Sequence, residues 1–361
     1  MNFTRIQLVM KGYDKEERQV ILELDSDTVN EILNYDTNVN ILKWNKVDNN
    51  KNYILYEKYY KETKANKQTV VSYVDSYVTL KKKLDKLGYK SSMLFKNSEL
   101  YTIDNLNSLI NQNISYKTSK KYLSIKGVQI NDISDYEKSG LEPLKAILSV
   151  SYPMIESNVS SDRTYTIENP DNLVLIKKGF MVASDYVPST LRTVNMPYES
   201  VEGQMSDEAA SALEKMYQDA QEEGYNLVIK SSYRSYQEQA DVYNAYFAMY
   251  DAEYAASLVN VPGSSEHQLG LSVDLTSQDV IDGTYGTFGE TPAYEWVEKN
   301  AYKYGFILRY PENASSRTGA TNEPWHFRYV GKQAAKEINE KGWILEDYIE
   351  AYGFTYEMHL N

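Results

Sequence analysis

Two short stretches near the start of the chain share one pattern of apolar and polar positions. Residues 8–13 (LVMKGY) are echoed 76 positions later by residues 84–89 (LDKLGY). A second stretch follows each of them, at 29–34 and 106–111, with apolar residues three and four apart, as in an amphipathic helix. The glycine before each tyrosine suits the end of a helix. The pattern therefore predicts two copies of a small helical repeat.

A polar stretch follows the second repeat. Residues 112–163 are rich in Asn, Ser and Lys, and apart from one helix at 142–148 they predict a connection. Their best linker segment is the polar run 157–162. The predicted organisation is an N-terminal region at 1–115 with repeats at about 5–40 and 82–113, a connecting region at 116–163, and a C-terminal domain at 164–361.

The C-terminal domain alternates short apolar runs with capped amphipathic stretches. Helices are predicted from the cap residue Ser206 to 223, from the capping box of Ser235 and Glu238 onward, and from 292 to before Gly305. Strands are predicted at 171–176, 227–229, 271–275, 306–308 and 325–330. The irregular alternation favours an α+β fold, in which a small antiparallel sheet is flanked by helices.

Length and charge limit the class of protein. With 361 residues the chain is too long for one comfortable core, so two or more domains are expected. Its formal net charge of −13 would repel nucleic-acid phosphates, and no nucleic-acid partner is expected. The chain has no cysteine, which excludes disulfides, thiolate zinc ligands and cysteine nucleophiles.

No apolar run approaches the roughly 18 residues that a membrane span needs. The first residues also contain no apolar segment of signal-peptide length. The protein is therefore expected either to be cytosolic or to work outside the cell after loss of a targeting segment that this sequence lacks.

Tyrosine is abundant, with 34 residues spread over the whole chain. One interpretation is mixed packing in the core and at the surface. The other is a set of aromatic platforms for sugars, which stack on aromatic faces. Composition does not separate the two.

The candidate chemistry lies around two of the three histidines. His267 is followed by Asp274, and His326 lies three residues after Glu323. His267, Asp274 and His326 can supply two nitrogen ligands and one oxygen ligand to a zinc ion with an open fourth position. Glu323 is then free to move the proton of a water molecule. This arrangement is typical of a hydrolase, whereas His359 lacks such a pattern and is expected to be a surface or hydrogen-bonded histidine.

Three ordered motifs resemble the zinc D-Ala-D-Ala carboxypeptidases of the VanY type. They are SYRSYQEQ at 232–239, PGSSEHQLGLSVD at 262–274 and EPWHFRYVG at 323–331. The family's wider signature, Ser-x-His-(six residues)-Asp with a later Glu-x-x-His, is matched at every position. The resemblance covers roughly residues 164–352. Residues 312–322 are looser than the family's usual lead-in to the last motif, which affects the rim of the pocket and not the metal ligands.

The resemblance implies a zinc-dependent carboxypeptidase that removes the C-terminal D-alanine from peptidoglycan stem peptides. It implies zinc on His267, Asp274 and His326, with Glu323 as the catalytic base. Arg234 would hold the C-terminal carboxylate, which suits a planar guanidinium with two parallel donors. The remaining predicted substrate contacts are Gln239 and Ser265, together with Trp325 and Tyr329, which flank His326 and could equally be core residues.

Several alternatives stay open at this point. Proteins of this type also include L,D-carboxypeptidases and endopeptidases of peptidoglycan. A cell-wall-binding protein with a silent zinc site is a different class of function, and a metal-free fold is a third. The resemblance implies a location outside a bacterial cell, at the wall. The N-terminal region, or a segment that was removed, would associate with the wall or a membrane anchor, mediate assembly, or act as a spacer.

Overall fold

The computed structural model describes residues 3–45, 52–155, 164–251 and 259–361. The chain divides into two compact units, Met1–Ser139 and Gly140–Asn361. The boundary thus falls inside the predicted connecting region, because the helices before it pack in the first unit and the helix after it packs in the second. The polar run predicted at 157–162 lies outside the described residues. None of the described helices combines the length and the apolar character needed to cross a membrane.

The first unit is helical over its described residues. Its helices are α1 (Phe3–Met10), α2 (Lys15–Leu22), α3 (Ser26–Asn34), α4 (Ile41–Trp44), α5 (Tyr53–Thr63), α6 (Lys67–Lys86), α7 (Ser91–Lys96), α8 (Ile103–Asn111), α9 (Tyr116–Tyr122) and α10 (Ile133–Ser139), with a 3₁₀ turn at Ile130–Asp132.

The predicted repeat has a structural counterpart at the ends of α1 and α6. Gly12 and Gly88 adopt left-handed backbone angles, with φ of +87° and +83°. The next residues, Tyr13 and Tyr89, each donate an N–H to the carbonyl of the leucine five positions earlier, at 3.1 and 3.0 Å. Glycine is favoured at this position because a side chain there strains the left-handed turn.

Many tyrosines of the first unit are core residues. The buried ones are Tyr13, Tyr53, Tyr56, Tyr59, Tyr73, Tyr77, Tyr89, Tyr101, Tyr122 and Tyr136. The rings of Tyr59 and Tyr73 stack with centroids 4.4 Å apart, and the Tyr73 hydroxyl donates to the Tyr101 carbonyl at 2.8 Å. Packing accounts for these tyrosines, because a buried ring whose hydroxyl has a partner stabilises a core.

The second unit mixes helices with short strands. Its strands are β1 (Tyr165–Glu168), β2 (Phe180–Val182), β3 (Leu191–Thr193), β4 (Gln204–Ser206), β5 (Leu227–Ser231), β6 (Ser272–Ser277), β7 (Phe306–Leu308), β8 (His326–Tyr329) and β9 (Glu357–Leu360). Its helices are α11 (Pro143–Val150), α12 (Asp207–Glu222), α13 (Tyr236–Met249), α14 (Gln278–Ile281), α15 (Pro292–Asn300), α16 (Ser315–Thr318), α17 (Lys332–Lys341) and α18 (Leu345–Tyr352), with 3₁₀ turns at Pro153–Ile155, Glu266–Leu269, Phe288–Glu290 and Ala301–Tyr304.

The main sheet has the strand order β5-β6-β8-β7, and all of its pairs are antiparallel. Asp274 of β6 lies directly opposite His326 of β8. Because side chains alternate along a strand, these two share one face of the sheet. Val273, Leu275 and Phe327 share the other face and are buried. The α+β class and the small antiparallel sheet are confirmed. Outside this sheet, β1 pairs in parallel with β2 and antiparallel with β9, and β3 pairs with β4.

The predicted strand at 171–176 is wrong. Val174, Leu175 and Ile176 are buried, as an apolar run should be, but their backbone does not pair with a neighbouring strand. The Val174 N–H donates to the Asp171 carbonyl at 3.2 Å, and side chains supply other partners. The Leu175 N–H donates to the Tyr356 hydroxyl at 3.2 Å, and the Val174 carbonyl accepts from Arg328 Nη2 at 2.9 Å. The burial of this segment was therefore predictable from the sequence, but the hydrogen-bond partners of its backbone were not.

Helix α12 begins and ends as predicted, between Ser206 and Gly224. The Ser206 side chain does not cap it, however. Its hydroxyl and its N–H both donate to the Gly270 carbonyl, at 3.1 and 2.9 Å. This residue thus ties the start of α12 to the turn that ends the 3₁₀ segment Glu266–Leu269.

Two glycines with similar φ angles allow the effect of backbone strain on stability to be distinguished from the effect of crowding. Gly270 has φ of +65° and Gly342 has φ of +61°. A Cβ on Gly342 would meet nothing within 4 Å, whereas one on Gly270 would lie 3.1 Å from Pro188 Cγ and 3.2 Å from the Ser206 nitrogen. We expect Gly342→Ala to lower the free energy of unfolding by about 1–2 kcal/mol through strain alone. Gly270→Ala should lower it more, as measured by urea unfolding; equal losses would contradict the crowding.

Candidate metal centre and active site

Three of the predicted site residues converge at one end of the main sheet. Asp274 and His326 are cross-strand neighbours, and His267 reaches them from the 3₁₀ turn that precedes β6. One ligand atom from each lies within 4.8 Å of the other two. A second group, Glu168, Glu357 and His359, meets the same distance, but all of its members are exposed.

Hydrogen bonds select which nitrogen of each histidine faces the centre. His267 Nδ1 lies 2.6 Å from the Ser232 carbonyl, which only a protonated nitrogen can satisfy. Its Nε2 therefore keeps the lone pair, and it lies 3.4 Å from Asp274 Oδ2. His326 Nδ1 lies 2.8 Å from Asp274 Oδ1. Two imidazole nitrogens and a carboxylate facing one point fit a zinc ion with three protein ligands.

The carboxylate of Glu266 orients His326. Its Oε2 lies 3.3 Å from His326 Nε2, and its Oε1 accepts from Arg309 Nε and Arg328 Nη1, both at 2.8 Å. Because Nε2 faces a carboxylate, it holds a proton, and Nδ1 is left for a metal. Burial alone would raise the pKa of Glu266, but the charges of Arg309 and Arg328 outweigh it and hold that pKa well below its usual range.

The ion pairs that begin at Glu266 extend to further buried charged residues. Arg309 donates to both carboxylate oxygens of Glu346, at 2.9 and 2.8 Å, and Lys177 Nζ lies 3.6 Å from Glu346 Oε1. All three residues are buried, and burial lowers the pKa of Lys177 to about 8. Removing one partner would leave another charge buried and unpaired, which costs about 3–5 kcal/mol. We call Glu266, Arg309, Arg328, Glu346 and Lys177 the buried ion network.

The ligands differ in how firmly they hold protons. Burial lowers the pKa of His326, but its hydrogen bonds to Asp274 and Glu266 raise it, and the result is about 9. Burial lowers the pKa of His267. For Asp274, burial acts to raise the pKa, yet the two histidines hold it far below its usual range. A metal ion that binds here must therefore displace a proton from His326.

Glu323 lies beside the ligands, and its carboxylate has no hydrogen bond or ion pair to any described residue. Its backbone is fixed at both ends, because its N–H donates to the Tyr310 carbonyl and its own carbonyl accepts from the His326 N–H, both at 3.0 Å. Burial raises its pKa, and the nearby charge of Asp274 adds to the rise. An unpartnered carboxylate with a raised pKa is suited to accept a proton from water.

Arg234 lies between β5 and α13 with part of its guanidinium unpartnered. Its Nε donates to Gln239 Oε1 at 2.8 Å, and Gln239 Nε2 donates to the Asn260 carbonyl at 2.7 Å. The two terminal nitrogens of Arg234 have no hydrogen-bond partner within the described ranges. The amide of Gln239 is thus held by Asn260 at its nitrogen and fixes Arg234 through its oxygen, and the free side of the guanidinium can bind an anion.

The other predicted substrate contacts divide into two groups. Ser265 and Trp325 line one cleft of about 200 Å³ together with Arg234, Glu323 and the three ligands. Tyr329 does not lie in this cleft. It is three residues after His326 on the same strand, so alternation turns it to the opposite face. There its hydroxyl donates to Glu208 at 2.7 Å.

The residues that hold the ligands were not predicted from the sequence. Glu266, Arg309 and Arg328 were not singled out, although each is fully buried. One signal was available, since Arg328 lies inside a predicted core strand and Arg309 directly follows another. A charged residue at such a position must be paired. The partners themselves depend on the fold.

The chain matches known proteins over its second half. The family model described as VanY, D-alanyl-D-alanine carboxypeptidase, matches residues 202–332. YodJ of Bacillus subtilis (strain 168), a protein named as a carboxypeptidase, is 40% identical over 194 residues, which are 52% of this chain and 71% of YodJ. A D-alanyl-D-alanine carboxypeptidase of Enterococcus faecalis (strain ATCC 700802 / V583) is 38% identical over 38% of this chain and 52% of the enterococcal protein. The solved LdcB LD-carboxypeptidase is 38% identical, with coverage of 55% of this chain and 94% of LdcB and a TM-score of 0.48.

Glu266→Gln tests whether the buried carboxylate tunes the metal centre. We expect the zinc affinity to fall about 10–100-fold, because the carboxylate that faces His326 Nε2 and sets its tautomer loses its charge. The measurement is the zinc dissociation constant from chelator competition, with the fold checked by circular dichroism.

The matched control for this test is Glu346→Gln. It removes a carboxylate that also pairs with Arg309 but does not contact His326. This variant should lose stability and keep the wild-type zinc affinity. Equal zinc affinities in the Glu266 and Glu346 variants would show that the network only stabilises the fold.

Proposed function

The chain belongs to the VanY family of D-alanyl-D-alanine carboxypeptidases, and on this premise we propose that it is a zinc-dependent carboxypeptidase that removes the terminal D-alanine from peptidoglycan stem peptides. The observation that carries the proposal is one cleft of about 200 Å³, which is lined by Arg234, the three metal ligands and Glu323. The terminal nitrogens of Arg234 have no partner among the described residues. A carboxylate anchor next to a hydrolytic centre is what a carboxypeptidase requires.

Arg234 anchors the C-terminal carboxylate of the peptide. Its two terminal nitrogens present parallel donors, and a carboxylate accepts both at once. Gln239 keeps the guanidinium in place, and the Arg234 N–H donates to the His267 carbonyl at 3.3 Å. The anchor is therefore tied directly to the turn that carries a metal ligand. This connection fixes the distance between the end of the substrate and the bond that is cut.

Glu323 moves the proton of the reaction. His267, Asp274 and His326 would hold a zinc ion, which would supply a Lewis acid to polarise the scissile carbonyl and make water more acidic. Glu323 accepts a proton from the attacking water and delivers it to the nitrogen of the departing D-alanine. Its lack of a protein partner leaves it free for both transfers, and its raised pKa allows it to hold the proton between them.

The place of action proposed for this enzyme is outside the cytoplasm, where peptidoglycan lies. The absence of cysteine from the sequence is compatible with such a compartment. The first unit is proposed to hold the enzyme at the wall or at a membrane anchor. Cell fractionation, with detection of the chain in the wall fraction, tests both parts.

The experiment that tests the function compares peptides with free and blocked C-termini. The wild type should release D-alanine from a stem pentapeptide that ends in D-Ala-D-Ala and leave its C-terminal amide intact. Arg234→Gln should lower kcat/KM for the free acid about 100-fold or more, because two charge-assisted hydrogen bonds of about 1.5–3 kcal/mol each are lost. Glu323→Gln should bind zinc and release nothing, which assigns the activity to this site.

Other outcomes would name a different function. Release from a tetrapeptide with a single D-alanine, but not from the pentapeptide, would indicate an L,D-carboxypeptidase. Full activity of Arg234→Gln on the amide would indicate internal cutting. Bound zinc without turnover of any peptide would contradict the enzyme and favour a binding protein.

A further inference from the structure

Tyr310 lines the same cleft and has a role that neither the motifs nor the ligand set assign. Its side chain is 7% exposed, and its hydroxyl has no hydrogen-bond partner among the described residues. Among the described residues, the side-chain polar atoms that are sealed from solvent and lack a partner are Gln268 Oε1, Ser277 Oγ and Trp296 Nε1. The Tyr310 oxygen is not one of them, so part of its surface is accessible.

Two contacts hold the ring of Tyr310, and a third holds its backbone. It packs on the His326 ring, with centroids 5.1 Å apart and planes at 33°, and the Arg309 guanidinium lies 4.8 Å from its centroid on the side of the buried ion network. Its carbonyl accepts the Glu323 N–H at 3.0 Å. The ring that carries the hydroxyl is therefore fixed beside His326, and its backbone is tied to that of Glu323.

A hydroxyl in this position needs a partner when a substrate fills the cleft. The substrate displaces water from the hydroxyl, and a polar group that is then buried without a partner weakens binding. Phenylalanine would fill the same space without that penalty. The missing partner is therefore expected in the substrate complex, since Tyr310 lines the cleft.

The chemistry of the hydroxyl identifies the substrate atom. A phenol hydroxyl has an ordinary pKa of about 10, so it is protonated at neutral pH and can donate a hydrogen bond. The terminal carboxylate of the peptide is taken by Arg234. The acceptor that remains beside His326 and Glu323 is the oxygen of the scissile carbonyl.

Resting on the proposed function, we propose that the Tyr310 hydroxyl donates a hydrogen bond to the scissile carbonyl oxygen, and that this bond strengthens as negative charge develops there during attack. Such a donor lowers the barrier most when it is already oriented before the reaction. The stacking on His326 and the contact with Arg309 provide that orientation. Tyr310 would then be a further catalytic residue, with a role distinct from the anchor Arg234 and the base Glu323.

The test is Tyr310→Phe in the full chain, with Tyr329→Phe as the matched control on the opposite face of β8. We expect Tyr310→Phe to lower kcat for D-alanine release about 100-fold, the size seen when one oxyanion donor is removed, with KM within about threefold of wild type. Tyr329→Phe should keep kcat. The zinc content and the melting temperature of Tyr310→Phe should match the wild type, because the hydroxyl has no protein partner.

A binding measurement separates the transition state from the ground state. A phosphinate analogue of D-Ala-D-Ala should bind Tyr310→Phe more weakly by about the factor lost in kcat/KM, because a tetrahedral analogue makes the contacts of the transition state. In a Glu323→Gln background, the intact pentapeptide should bind equally well with or without the Tyr310 hydroxyl.

Each other outcome overturns the proposal. Unchanged kcat would show that the hydroxyl makes no catalytic contact, and a raised KM alone would show a ground-state contact only. A lower melting temperature or loss of zinc in Tyr310→Phe would show that the hydroxyl bonds to the protein. The wild type is assayed before any variant is compared. If it releases no D-alanine, the proposed function is contradicted, and with it the role of Tyr310 that rests on it.

Discussion

The carboxylate of Glu266 is the constraint on which the site depends. It is fully buried, and it is shared by two arginines and by a histidine that faces the metal centre. A carboxylate in such a place is tolerated only because positive charges surround it. The same bonds fix where those arginines lie. Arg309 then fixes Glu346 of α18, and Arg328 fixes the backbone at 172–174. One turn of chain next to His267 thereby connects the metal centre with the far side of the second unit.

Strand β8 shows how one short segment serves both the site and the core. His326 and Arg328 face the metal centre and the buried ion network, whereas Phe327 and Tyr329 face the apolar side. A shift of register by one residue would exchange the two sets and remove a ligand and a core residue together. The antiparallel pairing of Asp274 with His326 is therefore both a structural and a functional requirement.

Much of this was predictable from the sequence, and the remainder has physical reasons. Periodicity and caps predicted α12 and the strands β5 to β8, because these signals are local. The ligand set followed from motifs in which spacing carries the chemistry. The role of Glu266 was not predictable, because its partners Arg309 and Arg328 are more than forty residues away in the chain. The segment 171–176 was misassigned for a related reason, since a buried apolar run does not reveal whether strands or side chains satisfy its backbone. Tyr329 was predicted to contact the substrate because it is near His326 in sequence. Side chains alternate along the strand, so it lies on the opposite face.

The most direct test of this account is anomalous diffraction at the zinc edge from crystals of the zinc-loaded protein. One strong peak is expected in the cleft, at about 2.0–2.2 Å from His267 Nε2, His326 Nδ1 and an Asp274 oxygen, with Glu266 still hydrogen-bonded to His326 Nε2. A zinc ion bound through His326 Nε2, or a peak only at the exposed group of Glu168, Glu357 and His359, would contradict it.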